Sequence, residues 1–186
     1  MSNLATTYSR LGRYDEAQQL GAQVFDVRKS MLGEEHPDTL SSVGNLALTY
    51  SRLGRYDVAQ QLGTQVVDIR RRILGEEHPD TLTSMNNLAL AYSDLGRYDE
   101  AQQLGAQVVD IRKRVLGEEH PDTLISMAVL ASNYSHLGQW EQAEELYHVI
   151  ISIAERILGD SHPHTQQYRR NLESIQALTS KKENTS

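Results

Sequence analysis

Apolar residues return at intervals of three and four along two stretches of a recurring segment, with polar residues filling the positions between. Over 79–95 the stripe is Leu82, Met85, Leu88, Ala89 and Tyr92, the spacing of an amphipathic helix. Over 97–116 it is Tyr98, Ala101, Leu104, Gly105, Val108, Ile111 and Val115, bounded by Gly96 and Gly117. Pro79 suits a first helical position, where its missing N–H would have no partner anyway, and Asp80 adds negative charge to the first turn. Gly96 fits the left-handed position that closes a helix. Each segment therefore reads as two helices, and connections this short force them antiparallel.

The same pattern recurs every 42 residues, as Gly12, Gly54, Gly96 and Gly138 show, together with His36, His78, His120 and His162, each followed by Pro. Residues 34–75 and 76–117 differ at only nine of 42 positions. A looser copy spans 118–159, and partial copies fill 1–33 and 160–179. The array predicts an all-α, right-handed superhelical solenoid of antiparallel helix hairpins with about nine helices, in which each repeat buries its apolar face only against its neighbours. Residues 1–179 are expected to form one repeat domain and 180–186 a disordered tail. Both ends enter partway through a repeat, so the chain is expected to be cut from a longer array.

Composition narrows the function classes. Cysteine is absent from the 186 residues, which removes disulfides, thiol catalysis and Cys-based zinc sites. A net charge of −7 argues against a nucleic-acid partner, because phosphate contact rests on Lys and Arg. No apolar run approaches the roughly 20 residues of a membrane span, so no membrane partner and a cytoplasmic location are expected.

Candidate chemistry is sparse. The four His-Pro dipeptides sit on successive hairpins, roughly 10 Å apart by helix packing distance, whereas zinc needs its nitrogens converging at about 2.0–2.1 Å. A structural His before each first helix is the expected role. The pairs Glu34–Glu35, Glu76–Glu77 and Glu118–Glu119 suit solvated helix entrances. Arg70–Arg72 and Arg112–Arg114 fall in the last turns of second helices, where positive charge complements the dipole. No nucleophile, base and oxyanion donor assemble, and every polar cluster repeats with the scaffold. No catalytic residue, metal site or cofactor is expected, and the chain is read as not an enzyme.

The stretch NLALAYSDLGRYDEAQQL followed by LGEEHPDTL resembles the tetratricopeptide repeat in its 42-residue form, as in kinesin light chains. Leu88, Ala89, Tyr92, Gly96, Tyr98 and Ala101 match the family's packing positions. Similar near-identical arrays are attached to nucleotide-binding domains in fungal immune-type receptors, where they act as recognition modules. At a position where the family carries a large residue, this chain has Gly21, Gly63 and Gly105, and Tyr147 in the fourth repeat. Either the helices approach closely at these glycines, or a neighbouring Tyr fills the space, or copying propagated one tolerated Gly.

The resemblance implies a concave groove lined by first helices. Carried onto this chain, its positions include Ser41, Gly44, Leu48, Ser51 and Arg52; then Thr83, Asn86, Leu90, Ser93 and Asp94; then Ile125, Ala128, Ser132, Ser135 and His136. Asn3, Asn45, Asn87 and Asn171 match the family's groove asparagine, whose amide can donate to and accept from a peptide backbone; packing against a neighbouring helix is the competing role, and Val129 breaks the series. Three of the nine mismatches, Ser41 against Thr83, Gly44 against Asn86 and Arg52 against Asp94, fall on this face. The last belongs to a series Arg10, Arg52, Asp94, His136. The implied function is a protein- or peptide-binding scaffold, the recognition or adaptor segment of a larger signalling protein. The alternative is an assembly element stacking end to end through terminal repeats, with Leu4, Tyr8, Tyr168, Leu172 and Ile175 meeting the neighbour.

Overall fold

A computed structural model describes the backbone of residues 2–183 and, within that span, all side chains except those of residues 2, 3, 6 and 181–183. The chain divides into two compact units, Met1–Gly96 and Arg97–Ser186. The first holds α1 (Ser2–Arg10), α2 (Tyr14–Leu32), α3 (Pro37–Arg52), α4 (Tyr56–Leu74) and α5 (Pro79–Asp94). The second holds α6 (Tyr98–Leu116), α7 (Pro121–His136), α8 (Trp140–Leu158) and α9 (Pro163–Glu183). Within each unit, helices consecutive in sequence pack against one another, and among the described residues there is no strand.

The histidines preceding the first helices are their N-caps. The Nδ1 of His36, His78 and His120 each accepts the backbone N–H two residues on, at 3.1 Å. This satisfies one of the donors that every helix start leaves unpaired, and it requires the tautomer with Nδ1 unprotonated. First helices end in a two-bond turn. The Arg55 N–H returns to the Tyr50 carbonyl at 2.9 Å and the Gly54 N–H to Ser51 at 2.9 Å, with Gly54 at φ 72°, the left-handed arrangement that reverses the chain in three residues. Second helices end differently. Gly75 lies at φ 86° and ψ 166°, a region open essentially to glycine alone.

An inward-turned arginine ties each of the first three second helices to the next first helix. Arg28 donates to the Asp38 carbonyl at 2.9 Å and to Ser42 Oγ at 2.7 Å. Arg70 does the same to Asp80 and Ser84 at 3.0 and 2.7 Å, and Arg112 to Asp122 and Ser126 at 2.8 and 2.6 Å. Arg70 is 8% and Arg112 4% exposed. In the fourth repeat both partners change together, to Ala154 and Tyr168, and these join the apolar core of Tyr147, Ile150, Leu172 and Ile175.

Two expectations are revised. Tyr168, Leu172 and Ile175 do not wait for a neighbouring molecule: they are buried within the second unit, because α9 lays its apolar face on α8. That helix also runs on to Glu183, so 180–183 is helical rather than a disordered tail, and 184–186 lie outside the described residues.

Candidate functional site

In the first compact unit the outward faces of α3 and α5 lie beside each other above α4. Asn45 is exposed and Asn87 half-buried, and neither side chain makes a hydrogen bond among the described residues. Leu48 and Leu90 are each 38% exposed, half-covered apolar surface of the kind that marks contact sites when it is contiguous. Ser41 and Thr83 turn their hydroxyls back to the Pro37 and Pro79 carbonyls at 2.9 Å, and Ser41 also accepts from Arg70 Nη2 at 3.1 Å.

Between these two helices opens a cavity of about 220 Å³. Its rim carries the exposed Ser41, Asn45, Leu48, Thr83 and Leu90, and its floor the buried Ala59, Val66 and Arg70 with Gly63 among them. A Cβ at Gly63 would lie 3.2 Å from Leu88 Cδ1, so this glycine does mark a close approach. A second cavity, about 190 Å³, lies over Gly21 and is rimmed by Arg10, Asn45, Leu48 and Arg52.

The series Arg10, Arg52, Asp94 and His136 is exposed throughout, but three of its members are engaged. The Arg52 guanidinium lies 5.9 Å from the Tyr14 ring centre, and His136 stacks on Tyr98 at 4.6 Å with planes 6° apart. Asp94, which cannot stack, accepts from Ser51 Oγ instead. Asn86 stands apart from the other groove candidates. It is 6% exposed with its Oδ1 unpaired, so its amide is packed rather than presented to solvent. The Asn3 side chain lies outside the described residues.

The second unit presents a different surface. Ser132 is half-buried and lacks the bulk of Leu48 or Leu90. Asn171 is committed on both sides of its amide, donating to Tyr147 Oη at 3.0 Å and accepting from Gln167 Nε2 at 2.8 Å. Tyr147 is 2% exposed and donates onward to the Ala128 carbonyl at 3.3 Å. Burial pushes its phenol above the ordinary tyrosine value, against a smaller opposing effect of the bond from Asn171.

Members of both basic clusters are engaged within their own units. Arg71 pairs with Glu76 at 3.2 Å, Arg72 with Glu35 and Lys113 with Glu118 at 2.7 Å, while Arg70 and Arg112 turn inward. Desolvation works against the charge of both buried guanidiniums, with the nearby Asp80 and Asp122 opposing it. Sequence reading missed these ties. The signal was available: Arg28, Arg70 and Arg112 accompany Ser42, Ser84 and Ser126, and both residues are lost together in the fourth repeat. Among the described residues no three His, Asp or Glu side chains converge as a metal would need.

These features define a class of protein: an all-α array of repeated helical hairpins whose first helices expose a face with a cavity beneath it. The chain belongs to the tetratricopeptide-repeat family, whose sequence pattern matches residues 1–72, 44–114 and 92–148. A crystal structure of a Podosopora anserina putative kinesin light chain with nearly identical TPR-like repeats is similar over 98% of this chain and 87% of its own, with 34% identity and a TM-score of 0.82. BtubC (BKLC) from P. vanneervenii is similar in fold over 95% of this chain and 70% of its own, at 22% identity and a TM-score of 0.80. A Rap protein complexed with Competence and Sporulation Factor matches over 95% of this chain and 52% of its own, at 16% identity and a TM-score of 0.69. No curated protein sequence matches. The fold is the tetratricopeptide-repeat solenoid, and proteins of this family generally act as scaffolds for protein interaction. Among the described residues, no helix is long and apolar enough to cross a membrane.

Proposed function

We propose that the chain is a non-catalytic scaffold that holds a peptide or protein segment along the exposed faces of its first helices, as the recognition or adaptor part of a larger signalling protein. The observation that carries this reading is the difference between the asparagines. Asn171 is used internally, by Tyr147 and Gln167, whereas Asn45 and Asn87 present amides that no described residue engages. An amide so placed can donate to a carbonyl and accept an N–H from an extended chain. Leu48 and Leu90 add apolar area beside them. Arg52 and Asp94, opposite in charge at equivalent positions, supply attraction for one ligand charge and repulsion for the other, which is how related surfaces discriminate.

Screening the full chain against a peptide array tests this. Peptides captured by the native chain are expected to be lost with Asn45→Ala/Asn87→Ala, and the captured set to change composition when Arg52→Asp and Asp94→Arg are made together, with melting almost unchanged. An identical set of captured peptides in all three proteins would overturn the reading.

Self-assembly is the second reading, and one observation favours it. Val27 and Met31 on α2 are 53% and 76% exposed, while Ile73, the counterpart of Met31, is 38% exposed. Sedimentation over a wide concentration range decides: a constant monomer mass rejects assembly through this face.

A further inference from the structure

The cavity over Gly63 has a counterpart 84 residues further on in which the space is filled. Tyr147 stands there in place of the glycine. Its hydroxyl donates to the Ala128 carbonyl at 3.3 Å and accepts from Asn171 Nδ2 at 3.0 Å. Both partners have equivalents around the open cavity, Gly44 for Ala128 and Asn87 for Asn171, and both line it. Two walls correspond as well, Ala59 with Ala143 and Val66 with Ile150. What separates Gly63 from Tyr147 is a 4-hydroxybenzyl group, whose free counterpart is 4-methylphenol.

We propose that the cavity over Gly63 is a binding site for a small phenol, its ring in the space that the Tyr147 ring fills in the fourth repeat but set outward to van der Waals contact with Gly63 and Leu88, and its hydroxyl directed at the Gly44 carbonyl and the Asn87 amide. The size suits a single ring: an apolar cavity of about 150 Å³ takes benzene, and this one measures about 220 Å³. The floor beneath the ring, Ala59, Gly63 and Val66, is apolar, with the bonded Arg70 and Ser84 at one side, and a buried guanidinium favours an aromatic neighbour. Orientation selects the ligand. Asn87 and Gly44 belong to the two rim helices and Gly63 to the floor, so a ring with its hydroxyl between the first two points its para carbon at the floor. A tyrosine in a peptide is tethered through that carbon and would have to pass through α4. A free phenol is not so tethered; the site shares the Asn87 amide with the peptide reading above but does not rest on it, since a cavity ligand can bind whether or not a peptide does.

The test is an amide NMR titration of the full chain with 4-methylphenol, toluene and N-acetyltyrosine amide. Saturable shifts of the Gly44 and Gly63 backbone amides and the Asn87 side-chain amide are expected with 4-methylphenol, with toluene about 25-fold weaker, the weight of two neutral hydrogen bonds. Asn87→Leu is expected to weaken 4-methylphenol about five-fold, the weight of one of its two hydrogen bonds, with toluene unchanged, and Gly63→Tyr to abolish the ligand-induced shift at Gly44. Should Gly63→Tyr fail to fold, the Asn87→Leu comparison decides alone. Absence of saturable shifts in the native chain overturns the site. Equal binding of toluene, or an unchanged affinity in Asn87→Leu, overturns the role of the hydroxyl. Tighter binding of N-acetyltyrosine amide at the same signals overturns the free phenol in favour of a peptide side chain entering hydroxyl first.

Discussion

Replacing Gly63 and Gly105 separately by alanine isolates the effect of a close helix approach. Both glycines follow Gln-Gln-Leu inside a 19-residue second helix, so the gain in helix propensity, about 1 kcal/mol for Gly to Ala, is common to the two. Their neighbours differ. At Gly105 the new methyl would meet Leu130 Cδ1 at 3.6 Å and Leu130 Cβ at 3.9 Å, which is ordinary van der Waals contact, and the full gain of about 1 kcal/mol is expected. At Gly63 it would meet Leu88 Cδ1 at 3.2 Å. Leu88 is 5% exposed and has little room to turn, and displacing a packed rotamer costs about 0.5–1.5 kcal/mol. The gain is then cancelled, leaving a difference of about 1 kcal/mol between the variants. Equilibrium urea unfolding of the full chain measures it, with equal slopes confirming that the same transition is compared. If Gly63→Ala stabilises as much as Gly105→Ala, the leucine yields freely and the approach carries no energetic weight. If Gly105→Ala destabilises, contacts of 3.6–3.9 Å to Leu130 do not leave a methyl room and the reasoning fails.

Arg112→Ala is expected to cost about 3 kcal/mol in urea unfolding, since it removes two charge-assisted bonds from a buried site; adding Ser126→Tyr should recover part of the loss by reproducing the Ala154–Tyr168 pair. His78→Ala should cost about 1 kcal/mol through the lost N-cap while His78→Asn, whose side chain can accept the same N–H, should cost much less, as thermal melts would show. Spectrophotometric titration should reveal phenols that ionise later than exposed tyrosines, and Tyr147→Phe should remove one of them. Because the folded state holds the Tyr147 proton longer than the unfolded state does, stability should fall as pH rises past about 10, and fall less in Tyr147→Phe.

Helix boundaries and pairing were legible because the three-and-four spacing and the Pro and Gly punctuation act locally, within a turn or two of the residues that carry them. The N-capping histidines were legible as structural but not as caps, since His is an uncommon choice there. The arginines misled because the dipole argument places all three of Arg70, Arg71 and Arg72 outside, whereas the phase of the helix buries Arg70 against the next hairpin and brings Arg71 partly in, its Nη2 3.7 Å from Met85 Sδ. The cavity over Gly63 follows from an absence of side chain in one helix and the spacing of two others, a three-body relation that no local pattern records. The groove candidates were placed by family resemblance. Asn45 and Asn87 do lie on the outward face with their amides uncommitted, whereas Asn86 sits one residue around the helix and is packed away.

The paired change from Arg and Ser to Ala154 and Tyr168 sets a direction for how such an array can grow. A duplicated repeat that begins with the Ser-bearing helix and ends with the Arg-bearing one recreates a matched joint on both sides when inserted between α4 and α5. Inserted between α8 and α9, the same repeat would set Ala154 against a serine and a buried arginine against Tyr168, stranding a desolvated charge. Lengthening by copying is therefore tolerated ahead of the fourth repeat and obstructed after it, so the α8–α9 joint works as a polarity mark in the gene's own expansion.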